Sequence, residues 1–284
     1  MNSNTITKIR LRFIVDRDVL IPPFSSKISR SIIIKMIGDD NPLLINDRYK
    51  PYVFSTVMID GRPLIRSMDP DSKDVFDPTT NLKLHKGKEY SFSITTIGHD
   101  ILTVLLAANK EVKLFDSNFS IIGMDMTLTT FNNLMLTDSD FIMRFITPAL
   151  LQLPKKWGDM KRAGNFLFPI PSLLLWSPAQ HWNRYAPDDL KIESCKRLAV
   201  YSNFSMLEMD YNLRPITVVY NEVSRPKGIT GWVRWHIDDF DKEMAIQLRR
   251  LLAYTQYMGV GRSRSIGFGM VELIPKNMAR DKLQ

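Results

Sequence analysis

The first clear pattern along the chain is an alternation of apolar and charged positions over residues 5–16. Apolar residues at every second position predict a β-strand that is buried on one face. The opposite face carries Lys8, Arg10 and Arg12. A solvated surface is the simpler explanation of these charges, but they also favour a polyanionic partner, and Arg10 and Arg12 are predicted to bind RNA phosphates.

The next pattern is helical and follows a turn at two prolines. Over residues 25–37 the apolar side chains recur at helical spacing, which predicts an amphipathic helix. Ser25 or Ser26 is suited to cap the start of this helix, and Gly38 is suited to end it. The sequence therefore predicts a strand that is followed directly by a helix.

The rest of the first half continues with strands and one more helix. Strands are predicted at residues 52–59, 64–67, 89–96 and 118–130, and a helix at 100–109. The pair Asp60-Gly61 is a strong signal for a tight turn between the first two of these strands. Val104 is predicted to face inward from the helix. The resulting order β-α-β-β-α-β is typical of a ferredoxin-like domain.

The second half repeats this order of elements without a clean sequence repeat. The predicted elements are a strand at 141–147, helices at 173–182 and 190–201, a hairpin of 207–223 with 229–237, a helix at 240–257 and a strand at 268–274. Asp238 or Asp239 is suited to cap the last helix. The sequence thus predicts an α+β protein of two tandem ferredoxin-like (RRM-like) domains, residues 1–134 and 135–284, with a C-terminal glycine-rich loop.

Composition narrows the class of protein. The 284 residues carry a net charge of +8 and a pI ≈ 9.5, which favours a nucleic-acid partner. The single cysteine, Cys195, indicates a reducing compartment and argues against a zinc finger. No apolar run approaches the roughly 20 residues of a transmembrane helix, and no signal-peptide pattern is present. We therefore expect a cytoplasmic protein that has no membrane partner.

The glycine-rich loop, residues 259–269 (GVGRSRSIGFG), joins the last predicted helix to the last predicted strand. Glycine lets a backbone approach a ligand closely, and arginine fits phosphate. Contacts with RNA are predicted for Gly259, Gly261, Arg262, Arg264, Gly267 and Gly269. A basic hairpin turn is the plain alternative. A nucleotide-binding P-loop is disfavoured, because the strand and helix come in the opposite order and the Gly-Lys-Ser/Thr element is missing.

Five stretches, in order along the chain, carry a resemblance to a known family. They are residues 22–27 (PPFSSK), 145–148 (FITP), 168–173 (FPIPSL) with Trp182-Asn183 after them, 228–232 (GITGW) and the glycine-rich loop. On these stretches the chain resembles the RAMP superfamily of CRISPR-associated proteins. Within it, the chain is similar to the archaeal type of the repeat-processing endoribonuclease, the sixth Cas protein.

The resemblance implies a specific reaction. Proteins of this kind bind CRISPR repeat RNA and cut the precursor transcript once per repeat. The ribose 2′-OH attacks the scissile phosphate without a metal or other cofactor, and leaves 2′,3′-cyclic phosphate and 5′-OH ends. A RAMP protein that binds repeat RNA or builds a CRISPR effector complex without cutting is the alternative. Association with an effector complex and formation of a homodimer stay open.

Many members of the resembled family place a histidine in or after the first helix, and this chain departs from that pattern. Its histidines are His85, His99, His181 and His236. Lys27, Lys50 and Arg30 are the better candidates for catalysis. A lysine would need a pKa about 3 units below its usual 10.4 to act as a base at pH 7. We therefore expect Lys27 and Lys50 to act as cations that stabilise the phosphorane or protonate the leaving oxygen, with solvated surface charge as the alternative.

Other charged stretches are less informative. Arg225 and Lys227 lie at the tip of the predicted hairpin and are expected to grip the RNA backbone, although an exposed turn also explains them. Residues 38–40 (GDD) are better explained by a helix end than by a two-metal polymerase palm. The aspartates within residues 69–77 lack the glycine and glutamate of an EF-hand, so no metal site is predicted.

Overall fold

The structure, a computed structural model, describes residues 4–38, 49–68, 82–98, 101–154, 164–221 and 223–276. His99 and the aspartates of the 38–40 and 69–77 stretches lie outside these residues. The chain forms two compact units of discontinuous sequence. The first unit comprises Met1–Thr129, Thr217–Pro226 and Ser265–Gly267, and the second comprises Thr130–Ile216, Lys227–Arg264 and Phe268–Gln284.

The first part of the chain consists mostly of strands. The strands are β1 (Thr5–Val15), β2 (Val19–Ile21), β3 (Tyr52–Phe54), β4 (Met58–Ile59), β5 (Arg62–Pro63), β6 (Ser67–Met68), β7 (Leu82–Leu84), β8 (Tyr90–Ile97), β9 (Glu111–Leu114) and β10 (Ser117–Thr130). The helices are α1 (Ser26–Ile37) and α2 (Ile101–Ala107).

The second part of the chain forms three α-helices and six strands among its described residues. Its strands are β11 (Asp140–Ala149), β12 (Leu151–Gln152), β13 (Asn165–Phe166), β14 (Met206–Val218), β15 (Lys227–Ile237) and β16 (Val271–Pro275). Its helices are α3 (Pro171–Tyr185), α4 (Cys195–Ser205) and α5 (Lys242–Met258). The protein is therefore a mixed α/β fold of helices and antiparallel sheets, and no helix among the described residues is long and apolar enough to span a bilayer.

The sheet of the first unit is built around β1. Its strands follow the order β5-β4-β8-β1-β10-β9, and β1 pairs antiparallel with β8 from Ile6–Ile97 to Phe13–Tyr90. The predicted alternation in β1 is confirmed, because Ile9, Leu11, Phe13 and Val15 are buried and the residues between them are not. Phe13 lies at the centre of the core and packs against Tyr90, Phe92 and Phe119.

Helix α1 is found where the sequence predicts it, and Gly38 ends it at φ 87°. The predicted capping by a serine is wrong, because no side-chain cap hydrogen bond is present. Ser25 instead donates from Oγ to the carbonyl of Leu64 at 2.6 Å and accepts from the amide of Val57 at 2.9 Å. The buried hydroxyl therefore ties the helix start to the segment around β4 and β5.

Several boundaries in the first unit differ from prediction. The turn at Asp60-Gly61 is confirmed, since both residues have positive φ. The strand expected after it is split, because the chain pairs first with β4 and then, at Ser67 and Met68, with the end of β14. Val104 is exposed, since Ile101 and Leu105 already fill the buried side of the short helix α2.

In the second unit β11 lies between β16 and β15, with β14 beyond β15. The expected cap of α5 at Asp238 or Asp239 is wrong, because Asp241 accepts the hydrogen bond from the amide of Met244. Asp239 instead pairs with Arg249, with 2.7 Å between the carboxylate and the guanidinium. The predicted strand 207–223 ends at residue 218, since a loop begins there.

Candidate functional site

Lys27 lies in the first turn of α1, and its side chain is held by Tyr220. The ammonium Nζ donates a hydrogen bond of 2.9 Å to the carbonyl oxygen of Tyr220. It also lies 4.4 Å from the centroid of the Tyr220 ring. Partial burial lowers the pKa of Lys27 below its ordinary value, because loss of water disfavours the charged form. The cation is thus partly desolvated and faces a carbonyl dipole and an aromatic ring.

Tyr220 belongs to the loop between β14 and β15, within the first unit. Its ring packs against Phe24, with 5.6 Å between the ring centroids. The amide of Val219 donates to the carbonyl of Arg66, and the amide of Tyr220 donates to the carbonyl of Ser224, both at 3.1 Å. Because these bonds are made by the backbone, they position the residue independently of its side chain.

Arg30 lies three residues after Lys27 on α1 and is exposed. Burial raises the pKa of the Tyr220 phenol, and the positive charge of Arg30 opposes that rise. This coupling requires the guanidinium to lie within electrostatic reach of the phenol. The structure therefore gathers two of the three predicted catalytic residues, Lys27 and Arg30, around Tyr220.

Lys50, the third predicted catalytic residue, directly precedes the segment that forms β3 and is half-buried. Its Nζ lies 5.7 Å from the centroid of the Tyr52 ring. Tyr52 is buried and packs against Phe54 at 5.2 Å between ring centroids. Lys50 lies two residues before β3, and β3 packs against the helix that carries Lys27 and Arg30.

The start of α1 is also bonded to the part of the glycine-rich loop that belongs to the first unit. Ser26 donates from Oγ to the carbonyl of Ile266 at 2.6 Å. Gly267 has φ 91°, and a Cβ at this position would lie 3.0 Å from both the Phe54 carbonyl oxygen and the Ser26 Cβ. Only glycine suits this combination of backbone angle and close approach. Gly267 is therefore required for packing against α1, which is a different reason from the predicted RNA contact.

The remaining glycines of the loop belong to the second unit and are also buried. At Gly269, which has φ 66°, an added Cβ would overlap the carbonyl oxygen of Val260. Gly259 and Gly261 face other backbone carbonyls at short distance. The close backbone approach that the sequence suggested is thus made within the protein, and the RNA contacts predicted for these three glycines stay predictions.

The two arginines of the loop differ in exposure. Arg262 is exposed, and its amide donates to the carbonyl of Leu150 at 2.9 Å. Arg264 is only 8% exposed. Its guanidinium donates to the carbonyl of Met258 at 3.1 Å and to the carbonyl and hydroxyl of Ser177 at 3.4 and 3.3 Å. Arg264 is thus bonded inside the second unit, whereas Arg262 faces solvent, and the phosphate contact of each stays a prediction.

The cationic face of β1 has the exposure that the sequence predicts. Arg10 is exposed and donates to Ser91 Oγ at 3.2 Å. Arg12 is half-buried and lies 3.8 Å from carboxylates of both Glu89 and Asp125. Ion pairs of this length between partly exposed groups contribute little. Arg12 can therefore exchange these ion pairs for phosphate at small cost.

Arg225 and Lys227 are both exposed, but they belong to different units. Arg225 lies in the loop that carries Tyr220. Lys227 begins β15, and its carbonyl accepts a hydrogen bond of 2.8 Å from Asn165. The two residues of the predicted hairpin tip thus belong to different units. Arg225 lies in a loop of the first unit, and Lys227 begins a strand of the second.

The histidines within the described residues have partners of their own. His85 and His236 each lie within 3.7 Å of a carboxylate. His181 is buried, and its Nδ1 lies 2.6 Å from the hydroxyl of Tyr254. Among the residues that the structure describes, no three His, Cys, Asp or Glu side chains are grouped so that they could hold a metal ion.

Sequence reasoning missed Tyr220 and the bond made by Ser26. Tyr220 fell within a predicted strand, and it meets Lys27 across 193 positions of sequence. For Ser26 the sequence indicates only a capping role. An aromatic residue just after a strand gives no local indication of a distant lysine, so the pairing could be found only from the fold.

Comparison with known proteins gives a consistent result. The model of the Cas6 N-terminal domain matches residues 7–128, and the model of the CRISPR-associated endoribonuclease Cas6 matches residues 143–271. Two relatives from Saccharolobus solfataricus, CRISPR-associated endoribonucleases Cas6 1 and Cas6 2, are 27% and 25% identical, and each alignment covers 94% of this chain and 96% of the relative. The Thermus thermophilus Cas6 product complex has a similar fold, with a TM-score of 0.70, 18% identity and coverage of 95% of this chain and 100% of that chain.

Proposed function

Because the chain belongs to the Cas6 family of CRISPR-associated endoribonucleases, we propose that it binds CRISPR repeat RNA and cuts the precursor transcript within each repeat. The observation that supports an active site in this chain is the cluster of Lys27 and Arg30 around Tyr220 at the start of α1. This cluster supplies positive charge without a histidine.

The proposed reaction is an in-line transesterification. The 2′-oxygen upstream of the scissile phosphate forms a bond to phosphorus, and the bond from phosphorus to the 5′-oxygen breaks. The 2′-proton passes to solvent, and the departing 5′-oxygen takes up a proton. The products are a 2′,3′-cyclic phosphate and a 5′-OH, and no atom changes its oxidation state.

Lys27 is the proposed proton donor to the 5′-oxygen. Its lowered pKa makes the ammonium a stronger acid than an ordinary lysine, which suits proton transfer to a departing alkoxide. Arg30 and Lys50 are proposed to stabilise the negative charge that builds on the phosphorane. Each of the three acts as a cation, as expected for a site that relies on alignment and charge.

Each unit carries exposed or half-buried cations that are proposed to contact the RNA backbone. Arg10, Arg12 and Arg225 would contact it from the first unit, and Lys227 and Arg262 from the second. Phosphate contacts of this kind set the register of RNA but read little sequence.

The order β4-β8-β1-β10 in the first unit supports our proposal that the units are ferredoxin-like.

The decisive experiment mixes the purified protein with end-labelled repeat RNA in EDTA, beside a copy that has 2′-deoxyribose upstream of the cut. We expect one cut in the normal RNA, a cyclic phosphate on the upstream fragment and an intact substituted RNA. Tight binding without a cut, in EDTA or with magnesium, would instead indicate a repeat-binding or effector-complex protein. Cutting of the substituted copy would exclude attack by the 2′-OH.

Localisation and assembly follow from the same proposal. A protein that processes transcripts is expected in the cytoplasm. Light scattering of the protein with and without repeat RNA would measure whether it forms a homodimer, and co-purification of effector subunits would test association with that complex.

A further inference from the structure

Tyr220 contacts the Lys27 ammonium in two ways. Its carbonyl oxygen accepts a hydrogen bond of 2.9 Å, and its ring centroid lies 4.4 Å from the same nitrogen. An ammonium has three donor hydrogens and attracts the face of an aromatic ring. One hydrogen points to the carbonyl and a second can face the ring, so the third is left for a phosphate oxygen.

The position of the ring is fixed by a ladder of backbone bonds in the first unit. The amide of Arg66 donates to the carbonyl of Pro23 at 2.9 Å, and the carbonyl of Arg66 accepts from Val219 at 3.1 Å. Phe24, which is fully buried, packs against the ring of Tyr220. The segment around residue 66 thus connects the chain before α1 to the loop that carries Tyr220. The ring is therefore placed beside Lys27 by contacts that do not involve RNA.

The phenol hydroxyl and the aromatic face can be considered separately. Burial raises the pKa of the phenol, so the hydroxyl stays protonated and uncharged near neutral pH. Lys27 lies over the ring face, and this contact does not need the hydroxyl. Removal of the hydroxyl should therefore preserve the contact, whereas removal of the ring should abolish it.

We propose that Tyr220 is a positioning residue for catalysis, whose ring and carbonyl hold the Lys27 ammonium in place for proton transfer to the 5′-oxygen. The inference rests on the proposed role of Lys27 in cleavage. It assigns a function to a loop residue that lies outside the helix, far from Lys27 in sequence.

The test compares Tyr220→Phe with Tyr220→Leu in single-turnover cleavage of repeat RNA, with the Kd for the RNA measured separately. We expect Tyr220→Phe to stay within about twofold of the unchanged protein and Tyr220→Leu to cleave about tenfold more slowly, as loss of a cation–π contact predicts. The Kd should change less than about twofold in both, because the ring acts on a cation and not on the RNA. Tyr257→Leu, at another half-buried tyrosine, is the control for general damage.

A double-mutant cycle shows whether Tyr220 acts through Lys27. In a Lys27→Ala background, Tyr220→Leu should cause no further slowing. Equal slowing in both backgrounds, or slowing by Tyr220→Phe as large as by Tyr220→Leu, would overturn the inference. If Lys27→Ala itself cleaves at the normal rate, the proposed role of Lys27 fails, and the inference fails with it. A defect in Lys27→Ala beside a fully active Tyr220→Leu would remove only the role of Tyr220.

A further substitution covers the case in which Tyr220→Leu does not fold. Incorporation of 3,4,5-trifluorophenylalanine at position 220 keeps the shape of the ring but weakens the negative potential of its face. We expect slower cleavage than with phenylalanine at an unchanged RNA Kd. Equal rates for the two rings would show that the ring face does not hold the cation.

Discussion

The start of α1 and the glycine-rich loop meet at the hydrogen bond from Ser26 to Ile266, yet they use their cations differently. At α1 the cations are half-buried or exposed, and Lys27 makes its contacts with a single residue of another segment. In the loop, Arg264 is buried and bonded to two other segments. A cation that has to engage a substrate must keep part of its surface accessible, whereas one that holds a fold is enclosed.

This contrast shows that the segment with the most distinctive sequence is not the one that carries the proposed chemistry. The loop has the more distinctive sequence, but its glycines are explained by close backbone packing. The start of α1 has an ordinary sequence and carries the cluster on which the proposed chemistry depends. Substitutions of Lys27 and of the loop glycines should therefore affect different quantities, namely the rate of cleavage for Lys27 and the stability of the fold for the glycines.

The largest effect is expected for Lys27→Ala. Loss of the proposed proton donor should slow single-turnover cleavage about 100- to 1000-fold, while the Kd for RNA and the melting temperature change little, since the side chain is half-exposed. Lys35→Ala, which removes the same charge from the exposed end of α1, is the matched control. Equal rates for the two variants would mean that Lys27 is an ordinary surface charge.

Gly269→Ala should chiefly affect stability. The new Cβ would overlap the Val260 carbonyl oxygen at a residue with positive φ, so we expect a loss of about 3 kcal/mol in the free energy of unfolding. Gly87→Ala has a similarly positive φ but no atom within 4 Å of the added Cβ, and should cost about 1 kcal/mol. Urea unfolding measures both. Equal losses would show that the loop tolerates the side chain and that its packing is not the reason for glycine.

The smallest effects distinguish the two arginines of the loop. Arg264→Ala should lower the free energy of unfolding by about 2 kcal/mol, because it removes the buried guanidinium together with the hydrogen bonds that it donates. Arg262→Ala should leave stability unchanged within about 0.5 kcal/mol. It should instead reduce the slope of log K against log salt for RNA binding by roughly 0.7–0.9. An unchanged salt slope for Arg262→Ala would remove this residue from the proposed RNA contacts.

The sequence was sufficient where structure depends on nearby residues. The buried face of β1, the extent of α1 and the end of α1 at Gly38 follow from spacing and from the backbone freedom of one glycine. The family resemblance and the basic composition also follow from residues that can be read directly along the sequence. These features depend on periodicity and composition, which need no knowledge of tertiary contacts.

Predictions failed where distant segments compete for a residue. Ser25 bonds to Val57 and Leu64 instead of capping α1, since those groups are buried beside it. Asp239 is taken up by Arg249, which leaves capping of α5 to Asp241. The pairing of Lys27 with Tyr220 could not be predicted for the same reason. The sequence around Lys27 does not indicate which distant segment packs against the start of the helix.

The division of the chain between the units has a consequence for synthesis. Ser265–Gly267 completes the first unit, although most of the second unit precedes it along the chain. Ribosomes deliver a chain from its N-terminus, so β1, α1 and β8 emerge long before Ile266 can accept the hydrogen bond from Ser26. The support of the helix turn that carries Lys27 is thus added only after the 240 further residues up to Ile266 have been made. A nascent chain that stops before Ile266 would contain Lys27, Arg30 and Lys50 without that support, which ties assembly of the site to synthesis of the glycine-rich loop.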